Sequence, residues 1–210
     1  MGVDVLRNAF EERKPITKAE IQKVLNIDNK HTLNQMTSNL VTFGILRRYE
    51  NGIYYIPSSS EKFSKLKPSL KDVVYKKYLQ HNQGIRTGSY LLYKYKFTSQ
   101  VSSFYEILSN KVSSHTRSKQ LYDGKVIVSY PPFEIHKNNI EILEFLELVK
   151  HRGRSDYSIE KSMKKLRDVI KEAKFKKEEL IRYSEYYKGR RHAGFRKTVR
   201  EVVADEATSQ

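Results

Sequence analysis

The sequence predicts a mixed α+β protein that begins with a small helical domain closed by a β-hairpin. Apolar residues recur three times at helical spacing before Gly44, which predicts three short helices. Strand-length runs at residues 45–49 and 53–56 then flank the turn sequence Glu50-Asn51-Gly52. Three helices followed by a hairpin are the outline of a winged helix-turn-helix, a fold that places one helix in a DNA major groove.

The chain carries a formal net charge of +16 on 210 residues, which indicates a polyanionic partner. Residues 1–58 hold 8 Lys and Arg against 6 Asp and Glu. Residues 59–150 hold 15 against 8, and residues 151–210 hold 17 against 10. Most of the positive charge therefore follows the predicted winged helix.

Composition and motif spacing exclude or disfavour several classes of site. The absence of cysteine excludes disulfides, thiolate metal sites and cysteine nucleophiles. No apolar run approaches the roughly 20 residues of a membrane span, and the N-terminus lacks the layout of a secretion signal. No two of the 6 histidines are close in sequence, and no Gly-rich phosphate loop is present. We therefore expect a cytoplasmic protein with no catalytic residues, metal, cofactor or membrane contact.

Capping residues set the predicted helices of the first domain, residues 1–57. A first helix ends near Glu12, and Thr17 with Glu20 forms a capping box that starts a second helix at Lys18. Asp28 or Asn29 caps a third helix from residue 30 to about residue 43, which Gly44 ends.

The third helix carries the residues expected to contact DNA. Leu33, Met36, Thr37 and Leu40 share its buried face, and small polar or amide side chains project from the opposite side. No acidic residue between Asp28 and Glu50 repels phosphate. The predicted DNA-binding residues of the helix and hairpin are Lys30, His31, Thr32, Asn34, Gln35, Ser38, Thr42, Arg47, Arg48 and Asn51. The alternative is a winged helix that contacts another protein.

The middle of the chain predicts a second, mixed α/β domain. Residues 58–68 form a linker, and residues 69–150 form the domain. Helices are expected at residues 70–79, after a cap near Thr87 or Gly88, and at residues 138–149, with strands at 104–108 and 125–130.

Short motifs in this region resemble those of AbiEi-family antitoxins. They are Gly84-Ile85-Arg86-Thr87-Gly88-Ser89-Tyr90-Leu91-Leu92-Tyr93, Phe97-Thr98-Ser99-Gln100-Val101 and Glu106-Ile107-Leu108-Ser109-Asn110. The hairpin run Gly52-Ile53-Tyr54-Tyr55-Ile56-Pro57 is similar to the wing of that family, with one residue inserted. The likeness covers roughly residues 1–150. Ser102 stands where the family pattern has proline, and Lys96 stands where glycine is common.

The resemblance implies an antitoxin of an AbiE-type, type IV toxin–antitoxin (abortive-infection) system. Such a protein acts as a transcriptional autorepressor that binds repeated sites in its own promoter, as a monomer or weak dimer. It also neutralises a nucleotidyltransferase-like toxin, with or without direct binding.

Two other functions compete with this interpretation. Asp123-Gly124-Lys125 at the start of a strand, with Glu106 or Asp72, is typical of metal-dependent nucleases, although a hairpin turn is the simpler interpretation. Alternatively, Arg86, Lys94 and Lys96 lie among tyrosines, a pattern that suits an RNA-binding module or an additional DNA contact, although tyrosines packed in the core beside solvated lysines are the simpler interpretation.

Residues 151–204 predict a basic helical extension of three helices packed on the middle domain, followed by a tail at 205–210. The basic residues of this extension, together with those of the middle domain, form a candidate antitoxin or secondary nucleic-acid surface. The residues of this surface are Arg86, Lys94, Lys96, Lys176, Lys177, Arg190, Arg191 and Arg196. Truncation after Asp156 is expected to weaken DNA binding.

Overall fold

A computed structural model describes residues 2–60, 65–113 and 118–204 of the chain. The fold is mixed α+β, as the sequence predicts. The chain divides into two compact units, Met1–Gln80 and His81–Gln210. The predicted tail at 205–210 and part of the predicted linker, residues 61–64, lie outside the described residues.

The first unit begins with three helices and a three-stranded sheet. The helices are α1 (Gly2–Ala9), α2 (Lys18–Val24) and α3 (Lys30–Thr42). The strands are β1 (Ile16–Thr17), β2 (Arg47–Glu50) and β3 (Ile53–Tyr55). All pairs are antiparallel in the order β1-β3-β2, and Ile16 lies opposite Tyr54. Strand β1 is not in the sequence prediction, and α1 ends three residues earlier than expected.

Both predicted helix caps of this unit are present. Thr17 and Glu20 form the capping box of α2, and the Asn29 side chain caps α3. Gly52 in the hairpin turn has a φ of +80°, a value that glycine adopts without a steric penalty. The core beneath the sheet contains Leu6, Ile21, Leu33, Leu40, Leu46 and Tyr54.

A fourth helix, α4 (Leu70–Val74), continues as a π-helical turn over Tyr75–Leu79. The sequence assigned this segment to the second domain, but the structure places it in the first unit. Val73, Val74 and Tyr78 of this segment are buried, and two long-range ion pairs, Lys76 to Glu20 and Lys77 to Glu50, join the π-helical turn to α2 and β2. The domain boundary therefore lies after Gln80 and not within residues 58–68.

The second unit contains a four-stranded mixed sheet. Its strands are β4 (Gly84–Arg86), β5 (Tyr105–Ser109), β6 (Lys119–Leu121) and β7 (Val126–Ser129), in the order β4-β5-β7-β6. Strands β5 and β7 are parallel, and the two outer pairs are antiparallel. The predicted strands correspond to β5 and β7, whereas β4 and β6 were missed.

The described residues of the second unit also form the α-helices α5 (Ser89–Lys94), α6 (Ile140–His151), α7 (Ile159–Ala173), α8 (Lys177–Ser184) and α9 (Ala193–Val203). Leu166, Leu180 and Val199, from the last three helices, are completely buried in one core with α5 and α6. The expected packing of the C-terminal helices on the middle domain is thus confirmed. Truncation after Asp156 would remove part of this core, so it would test folding and not DNA binding. Among the described residues, no helix has both the length and the apolar character of a membrane span.

Candidate nucleic-acid interface

Helix α3 has well-defined ends. The Asn29 side chain accepts hydrogen bonds from the backbone N–H groups of His31 (2.7 Å) and Thr32 (3.2 Å). At the other end, Gly44 has a φ of +70°, and the next two N–H groups both donate to the Leu40 carbonyl at 3.0 Å. Because both ends are satisfied, the helix presents its side chains from a fixed backbone.

The two faces of α3 differ as the sequence predicts, with one exception. Leu33, Thr37 and Leu40 are buried, and the Thr37 hydroxyl donates to the Leu33 carbonyl at 2.6 Å. Met36, which was expected on the buried face, is 41% exposed. Only three positions of α3 are buried, so Met36 lies at the solvent-facing edge of the buried face.

We use the term α3 stripe for the exposed residues His31, Gln35, Ser38 and Thr42, which follow one another at helical spacing. The Thr42 hydroxyl donates to the Ser38 carbonyl at 3.1 Å. Within the described part of the chain, the side chains of His31, Gln35 and Ser38 make no hydrogen bond. Asn34, also a predicted contact, accepts a hydrogen bond from the Lys18 ammonium group. The stripe therefore offers donors and acceptors that the protein itself does not use.

Basic residues flank the α3 stripe at the helix start and on the hairpin. Lys30 is exposed at the first position of α3, and Arg47, Arg48 and Asn51 are exposed on β2 and its turn. The Arg48 guanidinium lies 5.6 Å from the centre of the buried Tyr54 ring, which restricts its movement.

Two acidic groups of the first unit pair with lysines of the π-helical turn, which no local pattern in the sequence indicates. Lys77 pairs with Glu50 on β2 at 2.9 Å, and Lys76 pairs with Glu20 on α2. Burial by itself would lower the pKa of Lys77, but the hydrogen bond to Glu50 raises it. Similarly, burial would raise the pKa of Glu20, but the bond from Lys76 lowers it. Lys77 and Glu20 are therefore ionised at neutral pH.

The residues of the predicted secondary surface differ in their partners and in their exposure. Arg86 was expected at the surface, but its guanidinium is sandwiched between Tyr90 (3.8 Å to the ring centre) and Tyr105 (4.7 Å). Lys94 pairs with Glu144, and Lys96 is exposed in the turn after α5. Arg86 is therefore partly buried and held by two aromatic rings, whereas Lys96 faces solvent.

The C-terminal basic residues divide into structural and exposed groups. Arg196 donates to the backbone carbonyls of Tyr187 and Gly189, so it is a structural residue. Lys176, Arg190 and Arg191 are exposed, and Lys177 is partly buried.

Asp123 and Glu106 of the predicted nuclease site both have structural roles. Asp123 has a φ of +55° in the turn that joins β6 to β7, which confirms the hairpin interpretation of Asp123-Gly124-Lys125. Glu106 accepts hydrogen bonds from Arg154 at 3.0 Å and 3.2 Å and from the backbone N–H of Ser89 at 3.1 Å. In the described ranges, no group of three or more His, Cys, Asp or Glu side chains has the arrangement of a metal site.

The chain matches no known family model and no curated protein sequence. The α3 stripe and the basic hairpin are therefore the features from which a function is argued.

Proposed function

We propose that this protein binds double-stranded DNA through α3 and the β2–β3 hairpin, used together as a winged helix-turn-helix. The observation that carries the proposal is the α3 stripe, whose side chains of His31, Gln35 and Ser38 are exposed and make no hydrogen bond in the described residues. Arg47 and Arg48 are exposed on the adjacent hairpin strand.

The chemistry of the stripe favours base edges over a protein surface. An amide can pair with two groups of adenine, and hydroxyls can donate to or accept from several bases. A stripe that only faces water would more often contain Glu and Lys, whereas no acidic residue occurs between Asp28 and Glu50. The exposed thioether of Met36 is an apolar contact of the kind that meets a thymine methyl group.

Phosphate contacts would come from the flanks of the helix. Lys30 lies at the N-terminus of α3, where the helix dipole also favours a phosphate, and Arg47 and Arg48 lie on the hairpin. Since no arginine occurs on the stripe, each copy of the protein should have modest sequence selectivity. Repeated sites in the promoter would increase the total selectivity.

We extend the proposal to transcriptional autorepression and toxin neutralisation, and the motifs between Gly84 and Asn110 that resemble AbiEi-family antitoxins support this step. In this view, the first unit binds the operator and the second unit carries the antitoxin activity. A nucleotidyltransferase-like toxin is the expected target.

The test is fluorescence anisotropy with a duplex from the upstream promoter and a shuffled duplex of the same composition. Gln35→Ala should lose the preference for the promoter, because one base-reading side chain is removed. Arg47→Ala/Arg48→Ala should weaken binding to both duplexes and reduce the salt slope by about 1.8, at about 0.9 for each phosphate contact. The matched control, Lys67→Ala/Lys71→Ala, removes the same charge from exposed lysines outside α3 and the hairpin, and the slope should not change.

Two outcomes would contradict the DNA-binding proposal: no binding of either duplex by the wild type, or an unchanged salt slope in the arginine variant. Equal affinity of the wild type for both duplexes would contradict base recognition by the α3 stripe. The antitoxin step needs a separate assay, because it concerns the second unit. Co-expression with the neighbouring toxin should restore growth, and Gln35→Ala should restore it equally well. A lack of rescue by the wild type would contradict the antitoxin role and leave DNA binding unaffected.

A further inference from the structure

The second unit contains a large cleft that the proposed DNA contacts do not use. It has a volume of about 1280 Å³. Residues of β5 and β7, of the end of α6, and of the loop that joins α8 to α9 line it. Small-molecule sites usually measure roughly 300–1,000 Å³, so this cleft is larger than one small ligand needs.

A buried carboxylate lies at the floor of the cleft. Glu147 is fully buried and accepts hydrogen bonds from Thr87 (2.8 Å), Tyr187 (2.9 Å) and Lys150 (2.8 Å and 3.0 Å). Burial by itself would raise the pKa of Glu147, but the hydrogen bond from His151 and the charge of Lys150 lower it to about 2. The carboxylate is therefore ionised and its charge is compensated within the protein.

The other acidic residue of the cleft is compensated as well. Glu106 pairs with Arg154 at 3.0 Å and caps the start of α5 through the backbone N–H of Ser89. Consequently, neither Glu106 nor Glu147 presents an uncompensated negative charge to a ligand.

The loop between α8 and α9 adds positive charge that is not compensated. Lys188 and Arg191 line the cleft and are exposed, and neither makes an ion pair with any residue that the structure describes. Burial and the charges of Arg191 and Lys150 lower the pKa of His192, which lies beside them in the same cleft. The cleft is therefore a positively charged site.

This loop is also held in place. The Arg196 guanidinium donates to the carbonyls of Tyr187 and Gly189, and Gly189 has a φ of +90°, which allows the turn. These bonds hold the backbone from which Lys188 and Arg191 project at the edge of the cleft.

Two exposed aromatic rings line the same cleft. Tyr130 is 43% exposed and Tyr186 is 50% exposed, and Tyr186 is supported from one side by Phe133, with 5.5 Å between the ring centres. A basic groove with exposed aromatic rings is the arrangement by which proteins hold unpaired bases and their phosphates.

We propose that this cleft binds single-stranded nucleic acid, with phosphates against Lys188 and Arg191 and bases stacked on Tyr130 and Tyr186. The volume of the cleft and its two separate rings favour a strand over a single nucleotide. The proposal is independent of the DNA contacts assigned to α3, and it involves different residues from the RNA-binding module predicted around Arg86.

The test uses the full chain and fluorescently labelled oligo(dT) and oligo(U) of about 12 nucleotides, within the usual footprint of single-strand binding sites. Tyr186→Ala should weaken binding at least about fivefold, whereas Tyr186→Phe keeps the ring and should retain the affinity. Lys188→Ala/Arg191→Ala should reduce the salt slope by about 1.4, at about 0.7 for each phosphate of a single strand. Preference for one oligonucleotide would distinguish RNA from DNA as the source of the strand.

Matched controls separate the cleft from other surfaces. Tyr93 is 48% exposed and does not line the cleft, so Tyr93→Ala should have no effect. Lys161→Ala/Lys171→Ala removes two exposed charges from α7, and Arg47→Ala/Arg48→Ala removes the hairpin charges; both should bind the oligonucleotides as the wild type does.

Three results would overturn the proposal: no binding of either oligonucleotide by the wild type, equal binding by the cleft variants and the controls, or binding of UMP as tight as that of oligo(U). The last result would show a nucleotide site and not a strand-binding cleft. Loss of single-strand binding in the hairpin variant alone would assign the strand to the first unit.

Discussion

The buried cluster around Glu147 gives a stability prediction whose magnitude follows from the structure. Tyr187→Phe removes one hydroxyl donor, at 2.9 Å from the carboxylate, and keeps the ring in the core. A hydrogen bond to a charged group contributes about 1.5–3 kcal/mol, and both Tyr187 and Glu147 are buried. We expect the variant to lose about 2 kcal/mol of the free energy of unfolding.

Glu147→Gln should cost more than Tyr187→Phe. The amide keeps the volume but replaces one acceptor oxygen with an NH₂ group, which then faces donors from Thr87, Lys150 or His151. Removal of one partner from a buried ion pair typically costs about 3–5 kcal/mol. Because the Lys150 side chain is 32% exposed and can regain water, we expect the lower end of that range, about 3 kcal/mol.

The assay is calorimetric unfolding at neutral pH, with Tyr183→Phe as the matched control. Tyr183 lies on α8 close to Tyr187 in the sequence, its ring packs on Phe133, and its hydroxyl makes no hydrogen bond in the described residues. The control should change stability by less than about 0.5 kcal/mol. If Tyr187→Phe and Tyr183→Phe have equal effects, the hydrogen bond to Glu147 does not stabilise the fold as we infer.

Three further predictions concern the stability of the protein, and each compares one variant with the wild type or with a control variant. The pKa of Glu147 is about 2 when folded and its ordinary value is 4.5, so its stabilising effect is complete above pH 4.5 and is lost as the pH falls towards 2. The stability difference between the wild type and Glu147→Gln should therefore shrink in acid titrations over that window. Gly88→Ala should destabilise the second unit in thermal melts, because φ is +62° and the Glu106 carboxylate, 1.7 Å from the added Cβ, would have to leave its bonds to Arg154 and Ser89. Gly153→Ala, with open space around the Cβ, should not. Asn29→Ala should cost about 1 kcal/mol in the same melts through loss of the α3 cap.

Local signals in the sequence predicted the local structure. The capping box at Thr17 and Glu20, the cap at Asn29 and the turn at Gly52 each depend on residues within four positions of one another. The strands β5 and β7 were found because their apolar runs are long enough to identify without a partner.

Features that depend on distant pairing were not predictable. Strand β1 has two residues and exists because Ile16 and Thr17 pair with β3, about 37 residues away. Strands β4 and β6 have three residues each and lack an alternating pattern. The assignment of the π-helical turn to the first unit depends on ion pairs such as Lys76 to Glu20, which no local pattern indicates.

The two candidate sites, the α3 stripe and the cleft, likewise differ in whether local sequence signals indicate them. The α3 stripe was predicted because its residues share one helix, where spacing alone defines a face. The cleft was missed because its parts come from Thr87, Glu147 and the loop around Lys188, which are far apart in the sequence. Only the fold brings them together.

The most direct test of the central claim is a measurement of backbone amide chemical shifts by NMR during titration with a promoter duplex. The account predicts that the largest changes occur at His31, Gln35 and Ser38 on α3 and at Arg47 and Arg48 on β2, with small changes on the buried face of α3 at Leu33 and Leu40. Large changes confined to the second unit, with α3 and β2 unaffected at saturation, would contradict it.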